Sequence, residues 1–280
     1  MKNLIYPCLW FDGNAKTAAE YYCSVFSNSV ITADTPMVVT FELDGTKFMG
    51  LNGGPQFKPN PAISFYVTLE SKEQVERAWR LLADDGSILM PLDKYDWSEL
   101  YGWVQDRFGV NWQLSLGEMN EVEQRFVPLL MFCGEQQGNA SKAMDYYVSV
   151  FRDSAITFAA NYAPGQVAHD ATVVHARFRL LGHHVFMAMD SGVPQPFTFN
   201  EGVSLVIDCE TQEEVDYYWA RLTEGGEESR CGWLKDRFGV SWQVVPSILP
   251  KLLSDPQRAE RVMQAFMNMK KFDINALVNA

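Results

Sequence analysis

One twelve-residue stretch occurs twice in this chain, and it constrains the fold more tightly than any other feature. Gly102-Trp103-Val104-Gln105-Asp106-Arg107-Phe108-Gly109-Val110-Asn111-Trp112-Gln113 returns 130 positions later as Gly232-Trp233-Leu234-Lys235-Asp236-Arg237-Phe238-Gly239-Val240-Ser241-Trp242-Gln243, with nine positions identical. Tryptophan is too rare to recur in this way by accident, so the chain carries an internal duplication. Each copy reads as two short strands around a tight turn, Trp103 to Asp106 and then Val110 to Leu114 in the first. Gly109 supplies a positive φ where the turn needs one. Alternation along the second strand puts Trp112 and Leu114 on one face and Gln113 on the other.

The segments around the stretch repeat as well. Leu4 to Phe11 reads as a strand, and a helix with Asn14 as N-cap follows, its apolar positions Ala15, Ala18, Ala19, Tyr22, Val25 and Phe26 falling on one face. Three strands come next, near 30–33, 37–43 and 46–51, the last two joined by Asp44-Gly45, a hairpin signal. After a Gly/Pro-rich connector, Asn52 to Pro61, the pattern resumes with a strand at Ile63 to Leu69 and a helix opened by Ser71-Lys72-Glu73-Gln74. A short strand near Ile88 and a polar loop, Asp93 to Leu100, lead into the stretch itself. The first helix returns 125 positions on and the second 140, opened by Thr211-Gln212-Glu213-Glu214. The expected architecture is α+β: two tandem domains at 1–118 and 124–247, each of two βαβββ modules. Residues 248–280 read as a helical tail, packed on the protein or on a partner subunit.

Composition excludes several functions. A net charge of −12 argues against nucleic acid and against an anionic membrane surface, both of which call for clustered Lys and Arg. No apolar run is long enough to span a bilayer, and the N-terminal stretch is too short for a signal peptide. Five cysteines without C-x-x-C spacing read as buried thiols of a reducing compartment, so a cytoplasmic location is expected. No G-x-S-x-G, P-loop or glycine-rich nucleotide turn occurs.

The βαβββ repeats, the Tyr-Tyr pair in the first helix, Leu51-Asn52-Gly53-Gly54-Pro55 and the duplicated stretch together resemble the vicinal-oxygen-chelate superfamily. Within it the chain is most similar to the PhnB-like branch, often labelled demethylubiquinone-methyltransferase-like. The resemblance implies a cup-shaped mixed sheet in each domain. In metal-dependent members it also implies a divalent ion held from four strands. The final-strand ligand, usually Glu, falls on Gln113 and Gln243. The others fall near Tyr6-Pro7 and Val127-Pro128, within Met49 to Asn52 and Met187 to Asp190, and near Ala62 to Ser64 and Gly202 to Ser204.

Hard divalent ions want carboxylate or imidazole ligands, and a neutral amide is a weak substitute. The histidines (His169, His175, His183 and His184) all lie in the second half. The expectation is therefore a small-molecule binding protein without a recognisable metal site and with no cofactor. Its candidate ligand-binding residues are Asn52, Trp112, Gln113, Asp190, Trp242 and Gln243, with Asn52 beside Gln113 and Asp190 beside Gln243. The alternative is a metal-dependent lyase, isomerase or dioxygenase using His183 or His184 with Asp190 and Gln243. Asp106-Arg107 and Asp236-Arg237 read as ion pairs that hold the turns. Domain pairing within the chain is expected, and a homodimer through the tail is the other arrangement open.

Overall fold

A computed structural model describes residues 4–167 and 170–280, so His169 lies outside the described residues. The chain divides into two compact units, one of residues up to Tyr6 with Ser204–Ala280, the other Pro7–Val203.

The larger unit contains three modules, each a strand, a helix and three strands. The first is β1 (Ile5–Phe11), α1 (Ala15–Val25), β2 (Ser29–Asp34), β3 (Val38–Leu43) and β4 (Thr46–Asn52); β1 begins in the smaller unit. The second is β5 (Ile63–Leu69), α2 (Lys72–Leu82), β6 (Ser87–Tyr95), β7 (Ser98–Gln105) and β8 (Asn111–Leu116). The third is β9 (Phe126–Phe132), α3 (Ala140–Val150), β10 (Ala155–Asn161), β11 (Val173–Leu180) and β12 (His184–Asp190). In each, the first strand runs parallel to the last, because the intervening helix crosses over the sheet. The stretch expected as a polar loop, Asp93 to Leu100, is instead the tip of a β6–β7 hairpin turning at Asp96-Trp97. Tyr95, Trp97 and Tyr101 hold it together by ring contacts at 5.0–5.7 Å.

Modules two and three form one eight-stranded sheet in the order β10-β11-β12-β9-β5-β8-β7-β6. Their joint is the antiparallel pair β5–β9, with Ser64 opposite Leu129 and Tyr66 opposite Val127. Module one does not complete module two's sheet, although both lie within 1–118, the segment expected to close its own cup. The exchange of partners is carried by the connectors. Asn60 Nδ2 donates to Thr198 O at 2.8 Å and Asn200 Nδ2 to Lys58 O at 3.0 Å, so the two connectors brace each other. Modules this alike present nearly equivalent first strands, and local sequence does not say which will pair.

The smaller unit holds module four: β13 (Val203–Cys209), α4 (Gln212–Thr223), β14 (Glu227–Glu228), β15 (Trp233–Lys235) and β16 (Ser241–Pro246), in the order β14-β15-β16-β13. Its tail is helical, as α5 (Leu249–Leu253), α6 (Ala259–Met267) and α7 (Ile274–Asn279). The tail docks on its own module through Cys231 N to Met269 O and Gly232 N to Lys270 O, both 2.8 Å, with Val262, Phe272 and Leu277 buried. Among the described residues no helix is long and apolar enough to cross a membrane.

Candidate functional site: the helix-free face of the complete sheet

Asp106 organises the turn that follows β7. Its Oδ1 accepts from Phe108 N at 2.8 Å and Val110 N at 3.0 Å, and its Oδ2 accepts from Trp112 Nε1 at 2.8 Å. Asp236 repeats all three bonds, at 2.9, 3.1 and 2.8 Å. The ion pair expected between Asp106 and Arg107 does not form. Arg107 reaches Asp84 and lies over the Tyr21 ring at 5.1 Å, while Arg237 reaches Glu224. Asp106 is buried among backbone donors, where a guanidinium has no room. Burial raises its carboxyl to about 6, against the pull of the indole and the two amides. Gly102 earns its place in the motif by contact, because a Cβ there would meet the Trp79 ring of α2 at 2.5 Å.

Trp112 lies on the helix side of the sheet. Its ring meets Tyr22 and Phe26 of α1 at 5.1 and 5.3 Å and Phe65 at 5.3 Å, in the middle of the core. Trp242 is likewise fully buried. Asn52 and Asp190 serve helix starts. Asn52 Oδ1 accepts from Ala15 N at 2.9 Å, the cap expected from Asn14, whose side chain makes none. Asp190 accepts from Ala140 N at 3.1 Å, from Thr172 N and Oγ1 at 2.9 and 3.0 Å, and from Val173 N at 2.9 Å. Asn52 ends β4 and is not beside Gln113 of β8, and Asp190 ends β12 while Gln243 lies on β16. The expected Asn52–Gln113 pair does not form, because β4 and β8 lie in different sheets.

Gln113 points to the opposite, helix-free face and is 3% exposed. Tyr101 Oη donates to its Oε1 at 2.7 Å, and its Nε2 donates to Ser64 Oγ at 2.9 Å. Among the described residues the Ser64 hydroxyl proton has no acceptor. Trp103 sits opposite Gln113 in the β7–β8 pair, hence on the same face. Its indole N–H is buried with no acceptor among the described residues. Tyr66 pairs with Gln113 and faces the same way, its ring 6.2 Å from Tyr101 and 6.3 Å from His175. Three strand spacings separate β5 from β11, about 14 Å on a flat sheet. Rings that meet across that interval show that the sheet curls into a cup.

Tyr95 and Trp97 stand at one rim and Phe158 of β10 at the other, Trp97 62% and Phe158 53% exposed. Phe158 pairs with Arg177 and reaches the His175 ring at 6.3 Å. Burial raises the Tyr66 and Tyr101 hydroxyls, so both stay protonated at neutral pH. Burial, and then the Arg177 charge, lower His175, which stays neutral. Sequence reasoning missed Ser64 as a partner of Gln113, and it missed Tyr66, Tyr101, Trp103, His175 and Arg177. The aromatic spacing of Tyr95, Trp97 and Tyr101 was the available signal.

The four strand positions at which metal-dependent relatives carry ligands can be tested in this cup. Ser64 and Gln113 come from module two, while Leu129 and Met187, paired across β9 and β12, come from module three. Two neutral polar groups and two apolar ones do not fit a hard divalent ion, and the amide of Gln113 is already bonded at both ends. Among the described residues no three His, Cys, Asp or Glu side chains come together. His184 starts β12 and Asp190 ends it, about 20 Å apart at strand rise, so the alternative centre does not assemble.

Module four differs. Gln243 Nε2 donates to Ser204 Oγ at 3.0 Å, repeating half of the relay, but Cys231 stands where module two has Tyr101. The hairpin shrinks to two short strands, so no counterpart of the Tyr95–Trp97 rim is built.

Paired βαβββ modules, with helices behind a curled sheet and a cup in front, define a protein of the glyoxalase-like, vicinal-oxygen-chelate class. The family described as 3-demethylubiquinone-9 3-methyltransferase matches residues 3–115 and 124–245, and the chain belongs to that family. It is similar to a PhnB protein of Bacillus cereus, described as a putative 3-demethylubiquinone-9 3-methyltransferase. The identity is 36% over 40% of this chain and 98% of that one, at a TM-score of 0.38. A Staphylococcus aureus protein is 33% identical over 41% and 97% of the two chains, with a TM-score of 0.20. Glyoxalase I of Zea mays shares the fold over 89% of this chain and 94% of its own, at 12% identity and a TM-score of 0.56. No curated protein matches the chain in sequence.

Proposed function

We propose that the cup of the complete sheet binds a small organic molecule by direct contact with protein side chains. The observation that carries this reading is the indole N–H of Trp103, buried without an acceptor beside the Tyr101–Gln113–Ser64 relay. A buried donor left unmet costs about 1–3 kcal/mol, and a ligand oxygen would recover it. Aromatic walls around a few fixed polar groups are what a small-molecule site needs. Tyr95 and Trp97 lie against Tyr101, so the rim hairpin must lift for a ligand to reach the relay. Register shifts at 88–95 make β6 irregular, as those at 156–161 do β10 at the other edge of the sheet. The metal-dependent alternative draws no support, because His184 and Asp190 stand at opposite ends of β12.

Calorimetry with 2-naphthol and 2-naphthaldehyde as probes tests the reading. Binding to the wild-type chain should weaken about fivefold in Trp103→Phe, the worth of one hydrogen bond. It should weaken further in Trp97→Ala. Wild-type affinity in both variants would sink the proposal.

A further inference from the structure

The charged and polar groups of the cup are distributed unevenly. Arg177 pairs with Phe158 across β10–β11 and with Met187 across β11–β12. Met187 in turn faces Leu129, which faces Ser64, so the four residues form one row across the cup face. Among the described residues Arg177 makes no ion pair, and its one hydrogen bond is a long contact of 3.5 Å to Glu121 O. Such isolation is unusual in a chain of net charge −12, where carboxylates outnumber cations. Arg179, two residues on and facing the same way, has taken Glu123 at 2.8 Å, so among the described residues Arg177 is the guanidinium of the two without a carboxylate.

The other groups on this face share one chemical bias. Trp103 offers an unmet N–H, and the Ser64 hydroxyl offers a proton with no acceptor. Tyr66 feels the Arg177 charge and His175 is held neutral beside it, and no carboxylate acts on either. The cup thus converges donors and one uncompensated guanidinium, between aromatic rings on both rims.

We propose that the ligand is an anion with a flat aromatic body, its carboxylate or comparable oxyanion paired with Arg177 and its rings held between Trp97 and Phe158. This rests on the binding site proposed above. A guanidinium recognises a planar oxyanion through a two-pronged bond, and a partly desolvated pair of this kind is strong. A neutral ligand would leave Arg177 unpaired in the cup.

Matched aryl carboxylates and carboxamides, 2-naphthoate against 2-naphthamide with their one- and three-ring homologues, decide the matter by calorimetry on the full chain. The carboxylates should bind at least tenfold tighter than the amides. The preference should shrink as salt is raised and vanish in Arg177→Gln. Arg177→Lys should keep part of the preference, which separates loss of charge from loss of fold. Equal binding of both series, or a preference that survives in Arg177→Gln, overturns the anion assignment and leaves the binding site standing. If neither series binds, the site itself fails and the assignment with it.

Discussion

The indole of Trp112 donates to Asp106 at 2.8 Å, and Trp242 makes the same bond to Asp236 at the same distance. Each aspartate also accepts the two amides that close its turn, so the repeated motif is a clasp that fixes the last strand of its module. Most of the identity between the copies serves folding. Trp112→Phe should lower stability by about 2–3 kcal/mol, since it removes the bond and leaves a buried acceptor unmet. Urea denaturation measures this, and a change below about 0.5 kcal/mol would contradict the clasp. Probe binding in the cup should be unchanged, because Trp112 lies on the helix side.

The buried carboxyl of Asp106 has a defined pH signature. Its value in the folded protein, about 6, lies above the ordinary 3.8, so folding favours the protonated form. The stability it contributes is full below about pH 4 and is lost as pH rises through 6, about 3 kcal/mol over that interval. Asp106→Asn cannot titrate. The stability difference between wild type and variant should therefore narrow or reverse between pH 4 and pH 7. A difference independent of pH would refute the shift.

His184 should behave in the opposite sense. Burial, and then the neighbouring His183, hold it at about 4, below the ordinary 6.5. Its contribution is full above pH 6.5 and is lost as pH falls through 4, again about 3 kcal/mol. His184→Gln should lose less stability than wild type between pH 7 and pH 4.5, as read from urea midpoints. Parallel losses would show that His184 titrates normally.

Asp190 gathers four donors from three residues, and removing it leaves the start of α3 and the start of β11 without an acceptor. Asp190→Ala should cost about 3 kcal/mol or more, and Asn52→Ala, which loses bonds to Ala15 N and Pro36 O, about 1–2. Hydrogen exchange at the first turn of α3 should rise in Asp190→Ala. Unchanged protection there would argue against the anchoring role.

Arg107 is a contrasting case. Its partner Asp84 is largely exposed, so Arg107→Gln should change stability by less than about 1 kcal/mol. A larger loss in thermal unfolding would mean that the contact over Tyr21 matters more than the ion pair.

Much of the architecture was legible before the structure. Helix faces such as Ala15, Ala18, Ala19, Tyr22 follow a 3.6-residue period, and Thr211 with Glu214 forms the capping box its spacing announces. Both signals act within one turn of chain. Alternation put Gln113 on the strand face opposite Trp112, and the family resemblance implied that this face is the cup. The hairpin at 87–105 was obscured because β6 is irregular and largely exposed while the middle of β7 is buried on both faces, so no clean alternation marks them. Asn52 and Asp190 were misread because a polar residue at a strand end looks the same whether it meets a ligand or a helix amide. Their real partners lie 37 and 50 positions away.

The sequence by itself determined the duplication, the βαβββ order of each module, the helical tail and the family, because repeats, periods and caps are read from neighbouring residues. Only the tertiary structure decided that module two takes module three as its sheet partner. It also brought His175 of one repeat against Tyr66 of the other, and set Asn52 and Gln113 in different sheets. Edge strands of near-identical modules compete for the same hydrogen bonds. Their choice turns on connectors and packing far along the chain, where local sequence carries no instruction.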